Sequence, residues 1–228
     1  METAMETPDI LPGLVAPPPA YRALCRRLGL EQGIPWTEHW SAEADFLERI
    51  LAHCLEQRPP LILECSSGLT TLVLARACRL NGRGRVVSLE DGAGYADASR
   101  RALAHYGLAQ WGRVLHAPLR TWRVNGREFL WYTLEQLPQA PVEMLVIDGP
   151  SGFIQAHSRY PALPLLRERI APGCAIFLDD AARPQERETV AMWMEQVPGL
   201  SHEYLATQRG CSLLRTPPAG PAEEQSAP

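Results

Sequence analysis

The chain has 228 residues, 46% of them hydrophobic, a formal net charge of −4 and no long uncharged apolar stretch. This balance argues for one soluble globular domain with decorated ends, against a membrane span, and gives no electrostatic reason to expect a nucleic-acid partner. All 22 basic residues are arginine, which excludes a Walker-type lysine, a Schiff-base lysine and a lysine general base.

Residues 1–19 hold five prolines without periodicity and lack a basic, then apolar, leader pattern. They read as a mobile N-terminal segment with no secretory signal. Residues 20–40 read as a helical lid: Tyr21, Leu24 and Leu28 have helical spacing, and Trp36 and Trp40 either cover a site or pack the segment onto the core. Ser41 is the expected N-cap of a helix ending near Glu56, with Glu43 and Asp45 in its first turn and Phe46, Ile50, Leu51 and Cys54 on its apolar face.

Leu61-Ile-Leu-Glu64 follows Pro59-Pro60 and reads as the central strand of a parallel sheet, ending in a carboxylate. Ser66-Ser67-Gly68 is a small-residue turn, and Leu69–Leu80 has the apolar spacing of a helix stopped at Asn81-Gly82. The free N–H groups at that helix start favour an anionic group, so the unit has the architecture of a nucleotide site. Val86–Glu90 is a second strand, and Glu90, 26 positions after Glu64, stands where a ribose-binding carboxylate belongs in such a unit. A helix over Tyr95–Tyr106, closed by Gly107, leads to a third strand at Arg113–His116.

Asn125-Gly126 then predicts an inserted hairpin within Leu119–Tyr132, pairing Val124 with Arg127, Arg123 with Glu128 and Trp122 with Phe129. Glu143–Asp148 is the fourth strand, and a helix near Ala162–Ile170 is expected to stop at Pro172-Gly173. The fifth strand, Ala175–Asp179, ends in the doublet Asp179-Asp180, and Pro184 starts a helix whose apolar face is Val190, Trp193, Met194 and Val197. His202–Ala206 and Cys211–Leu214 form the antiparallel edge, and residues 217–228 read as a disordered tail. The six cysteines are scattered without a Cys-x-x-Cys pair, which suggests neither a disulfide framework nor a zinc knuckle and makes the cytoplasm the expected compartment.

Glu64, Glu90, Asp148 and Asp179 thus end four strands of one parallel sheet, and four carboxylates converge on one crevice. Acids beside buried strands are costly unless paired, hydrogen-bonded or metal-bound. The pieces Glu64-Cys-Ser-Ser-Gly-Leu-Thr-Thr71, Glu90, Ala117-Pro-Leu119, Trp131-Tyr132, Ile147-Asp-Gly-Pro150, Arg159-Tyr-Pro-Ala-Leu163 and Asp179-Asp180 with Arg183 and Glu186 come in a telling order. In that order they resemble the class I S-adenosylmethionine-dependent methyltransferases, across roughly Ser41 to Arg215.

The resemblance implies a doubly wound, Rossmann-like α/β sheet, mostly parallel with an antiparallel edge, occupying residues 41–216. It implies S-adenosylmethionine as cofactor, with Glu64, Ser66, Ser67 and Gly68 holding the methionine part and the Thr70 hydroxyl near its carboxylate. Glu90 would take both ribose hydroxyls, Ala117 and Leu119 would frame the adenine, and Asp148 would hydrogen-bond the cofactor. Ser66 stands where the family has glycine, and a positive φ there would strain it.

Asp148, Asp179 and Asp180 also resemble the cation site of catechol-type methyltransferases, whose oxygen ligands suit Mg²⁺, Ca²⁺ or Mn²⁺. The alternative is that Asp180 caps the next helix, or that one of the three crowded acids keeps a proton. With no lysine available, His157 and Asp148 are the catalytic candidates, and Arg183 with Glu186 reads as a structural pair. The expected reaction is methyl transfer to a small molecule, most naturally at oxygen. A nicotinamide-dependent oxidoreductase is the rival enzyme, weakened by the missing Gly-x-Gly-x-x-Gly and Tyr-x-x-x-Lys patterns, and a catalytically silent binding protein is the rival from another class.

Overall fold

A computed structural model describes residues 12–219. A 3₁₀ turn at Pro19–Tyr21 leads into α1 (Arg22–Leu28), followed by α2 (Ala44–Gln57), β1 (Leu61–Cys65), α3 (Leu69–Asn81), β2 (Arg85–Glu90), α4 (Ala93–His105) and β3 (Gly112–His116). Next come β4 (Leu119–Val124), β5 (Arg127–Tyr132), β6 (Val142–Ile147), α5 (Ala162–Leu166), a 3₁₀ turn at Arg167–Arg169, β7 (Ile170–Leu178), α6 (Pro184–Gln196), β8 (Ser201–Leu205) and β9 (Cys211–Arg215).

The main sheet runs β3-β2-β1-β6-β7-β9-β8, parallel from β3 to β7 and antiparallel at β9 and β8. This is the expected Rossmann-like sheet, with β1 in the middle of the five parallel strands. The chain winds outward from β1 to β3 and then restarts at β6 on the other side of β1. The crevice at the carboxyl ends of β1 and β6 therefore sits at a topological switch point, where ligands bind in open α/β sheets.

Side chains along each strand alternate between two cores. Ile62, Val86, Val114, Met144, Val146 and Phe177 meet α1–α4 on one face, whereas Leu61, Leu63, Val87, Leu145, Ile147 and Ile176 meet α5, α6 and the β4–β5 hairpin on the other. Both faces are covered, which explains why the parallel strands read as continuous apolar runs. The hairpin has the register expected from its turn, with Val124 opposite Arg127, Arg123 opposite Glu128 and Trp122 opposite Phe129. Asn125 and Gly126 both take positive φ, 48° and 79°, as a two-residue hairpin turn requires.

Several local expectations are corrected. The helix after Asp148 is short, and Pro172-Gly173 lie inside β7 rather than at a helix end. A register shift between Val142 and Met144 on β6 accommodates them, since proline has no N–H for the ladder. Ser41 is not an N-cap: Glu43 holds that position, and the Ser41 hydroxyl accepts the Thr37 N–H at 2.9 Å in the preceding turn.

Within the segment read as mobile, residues 12–19 are tied down: Leu14 is buried and Val15 pairs with Ile34. Residues 1–11 lie outside the described residues. The expected lid at 20–40 divides. Leu24, Cys25 and Leu28 are core and Trp36 packs against it, while Trp40 is 61% exposed. At the other end, the Thr216 hydroxyl donates to Ala171 O and Pro217 O accepts the Gly173 N–H, so residue 217 of the segment read as a tail is held to β7. Residues 220–228 of that tail lie outside the described residues.

Candidate functional site

One wall of the crevice is the β1–α3 turn. Ser66 has φ 108°, a backbone conformation that favours glycine, and its N–H donates to Leu89 O at 2.9 Å. Gly68 stands at the N-cap of α3 with φ 134° and ψ −126°, and its N–H donates to the Thr71 hydroxyl at 3.1 Å. Beneath the turn lies Glu64, fully buried. Its carboxylate accepts three hydroxyls: Thr70, Thr71 at 2.6 Å and Ser88 at 2.5 Å. Burial pushes its carboxyl up to about 7 against the pull of those donors. Glu64 and the Thr70 hydroxyl thus brace the turn from below.

Glu90 sits at the end of β2 beside the same turn. Its two oxygens accept the Ser67 hydroxyl at 2.8 Å and the Gly92 N–H at 3.0 Å, and Ser67 also meets the Ser99 hydroxyl of α4 at 2.9 Å. Burial raises its carboxyl above the ordinary range, with the Gly92 and Ser67 hydrogen bonds opposing. Each carboxylate oxygen keeps a further lone pair, so two more donors fit there. Ala117, one residue beyond β3, is buried and fixed to β2 by its N–H on Glu90 O at 2.7 Å, and Leu119 opens β4 half-buried. At the floor of the crevice, a Cβ on Gly149 would lie 2.5 Å from the Tyr132 hydroxyl oxygen and 3.2 Å from Ser66 Cβ. Only glycine allows this close approach of the β5, β1 and β6 ends.

The opposite wall is acidic. Asp148, Asp179 and Asp180 each bring an oxygen within 4.8 Å of the others. Arg159 Nη2 donates to Asp180 at 2.7 Å and to Asp148 at 3.1 Å, while its Nη1 donates to Asp179 O at 2.8 Å. Arg209 Nη2 lies 3.2 Å from Asp179 and its Nε 3.2 Å from Asp180. Arg183 reaches Asp180 at 2.9 Å, and Glu186 faces Arg159 at 3.9 Å. The expected Arg183–Glu186 pair is thus replaced by two separate partnerships. Asp180 is no helix cap either: Arg183 holds the N-cap position of α6.

Burial, and then the charge of Asp179, drives the Asp148 carboxyl well above the ordinary range despite Arg159. Burial and then Asp180 raise Asp179 to about 6. His157 does not join this group through its ring: Nε2 lies 2.6 Å from Glu188, and its backbone N–H donates to Gln185.

Residues 63–181, just over half of the chain, match the model of a family described as a methyltransferase domain. The chain belongs to this methyltransferase family.

Its fold is similar to that of an O-methyltransferase from Bacillus cereus solved in complex with SAH, at 15% identity and TM-score 0.61, covering 89% of this chain and 92% of that one. An SAH-bound methyltransferase from Podospora anserina aligns at 17% identity and TM-score 0.62, covering 89% of each chain. The O-methyltransferase TomG from Streptomyces achromogenes, involved in tomaymycin synthesis and solved with SAM, aligns at 17% identity and TM-score 0.56, covering 87% of each. None of the curated proteins matches the sequence.

In this methyltransferase the acidic wall has the oxygen donors of a cation site, but the buried guanidinium of Arg159 and the half-buried one of Arg209 already lie beside all three carboxylates. A divalent ion would stand against fixed positive charge, so the residues as placed do not fit one. Arg159, Thr71 and Tyr132 are visible in the sequence only as parts of a pattern, and nothing in the local sequence marks Arg209, Ser88 or Ser99. One signal was available: in a chain without lysine, buried carboxylates that need a permanent side-chain cation can find it only in arginine.

Proposed function

We propose that the chain is an S-adenosylmethionine-dependent methyltransferase acting on an oxygen of a small-molecule acceptor. The observation that carries this reading is the Glu90–Ser67 pair beside the Ser66–Gly68 turn, facing Asp148 across the switch point. When bound, S-adenosylmethionine supplies a methyl group already activated on a sulfonium. Glu90 has acceptor capacity for both ribose hydroxyls, and the turn with the first N–H groups of α3 suits the methionine carboxylate. Ala117 and Leu119 frame the adenine beyond Glu90.

Asp148 lies across the crevice with 11% of its side chain exposed, against 1% for Asp179 and 3% for Asp180. Its greater exposure supports it as the carboxylate that orients an acceptor hydroxyl and accepts its proton as the methyl group is transferred. His157, engaged with Glu188, is left out of that role. On the acceptor side Trp40 and Phe153 meet edge to face at 6.2 Å, and Arg209 donates to Ser41 O beside Trp40. These rings support a planar or apolar acceptor. Six buried free thiols support a reducing, cytoplasmic setting.

Calorimetric titration and thermal melting with S-adenosylmethionine, its demethylated product, NAD and NADP test the reading. The first two should bind and raise the melting temperature, and the nicotinamide nucleotides should not. Binding by a nicotinamide nucleotide alone overturns it in favour of an oxidoreductase.

A further inference from the structure

We propose that Arg159 and Arg209 do the work of a divalent cation on the acceptor wall, so that methyl transfer is cation-independent and Arg159 positions Asp148. The inference rests on the methyltransferase reading of the site. One guanidinium, that of Arg159, joins all the acids of this wall: it reaches the carboxylates of Asp148 and Asp180 and the backbone carbonyls of Asp148 and Asp179 at 2.7–3.2 Å. Its side chain is 4% exposed. Arg209 closes the far side on Asp179 and Asp180, and its other bond, to Ser41 O, ties the cluster to the segment carrying Trp40.

A cation bridging these oxygens would sit about 2.0–2.6 Å from each, inside the space the two guanidinium groups now address. Arginine does not deprotonate to make room, and its planar fork spans two carboxylates as an ammonium cannot. The backbone bonds at Asp148 and Asp179 anchor Arg159 to the ends of β6 and β7, so the charge is built into the sheet edge. In this arrangement Asp148, the acid with the most exposure, is held in one orientation toward the crevice.

The test titrates Mn²⁺ into the full-length protein, followed by electron paramagnetic resonance, and measures turnover with and without EDTA. The wild type should show no stoichiometric Mn²⁺ binding, and EDTA or added Mg²⁺ should leave turnover unchanged. Arg159→Met should lower the melting temperature on the order of 10 °C. The bared carboxylates should then bind Mn²⁺ at least about tenfold more tightly than the wild type, with part of the melting temperature restored.

Its kcat should fall at least about tenfold with product affinity unchanged, and Arg159→Lys should recover less than half of that loss. If Arg159→Met does not fold, Arg209→Met carries the same manganese comparison. Stoichiometric Mn²⁺ binding by the wild type, or chelator-sensitive turnover rescued by Mg²⁺, overturns the proposal. Failure of the methyltransferase reading is distinguishable, because it shows as absent S-adenosylmethionine and product binding, whereas the manganese titration needs no turnover.

Discussion

Two buried acidic sites flank the crevice and are met by different kinds of partner. Glu64 is met by three neutral hydroxyls, from Thr70, Thr71 and Ser88. The Asp148, Asp179 and Asp180 cluster is met by the guanidinium groups of Arg159, Arg209 and Arg183. Hydroxyls soften the burial of a charge but do not cancel it, so Glu64 is relieved by taking a proton, and its carboxyl rises to about 7. Arginines counter the charge directly and stay charged at any working pH. Burial still raises Asp148 and Asp179 despite those arginines, so both arrangements respond to pH, and the second is also sensitive to loss of any partner.

The largest effect should come from breaking the arginine network at its shared point. Asp180→Ala removes the carboxylate on which Arg159, Arg183 and Arg209 converge and leaves the buried Arg159 guanidinium with only Asp148 as a carboxylate at hydrogen-bond distance. Such losses cost about 3–5 kcal/mol, or on the order of 10 °C in melting temperature. A loss under about 1 kcal/mol in denaturant titration would show that the network acts like a surface ion pair.

Next comes the pH response of the hydroxyl-held site. The ordinary value of 4.5 for Glu64 becomes about 7 in the folded chain. Below pH 4.5 the residue is protonated in both states and its contribution is fully present. Between 4.5 and 7 the unfolded chain releases the proton while the folded chain keeps it, so stability falls as pH rises. The total is about 3 kcal/mol, complete a little above pH 7. Melting curves across pH 4.5–8 should show this loss in the wild type relative to Glu64→Gln, and parallel curves for the two proteins would count against it.

Glu90 sharpens the contrast, because it lies on the same wall as Glu64 but has acceptor capacity left for a ligand. Glu90→Ala should weaken S-adenosylmethionine binding about ten- to a hundredfold, on the order of 1.5–3 kcal/mol, while the fold stays intact. Unchanged affinity by calorimetry in a folded variant would contradict its ribose role. The smallest effect belongs to the turn: Ser66→Gly relieves the strain at φ 108°, and after the added chain entropy of glycine should gain about 1 kcal/mol, some 2–4 °C in melting temperature. No gain in thermal melts would mean that the surrounding bonds already suit serine at that φ.

What the sequence determined by itself was whatever depended on near neighbours along the chain. The apolar runs, the turns and the Asn125-Gly126 register encode β1 to β7 and the hairpin, because strand burial and turn chemistry are written within a few residues. The same holds for the convergence of Asp148 and Asp179, which follows once parallel strands end in acids. Tertiary structure alone decided what those acids touch. Arg159 lies 21 residues before Asp180, and Arg209 lies 30 residues beyond Asp179, reaching it only because β9 folds back antiparallel on β7.

Nor could spacing show that Pro172-Gly173 would be carried within a strand, since the register shift against β6 is a property of the pair. It also could not show that Glu64 lies sealed beneath its turn, because Thr70, Thr71 and Ser88 turn toward it only when α3 packs across β1 and β2. Local pattern selects the elements; which buried charge finds which partner is decided by the packing that removes water from both.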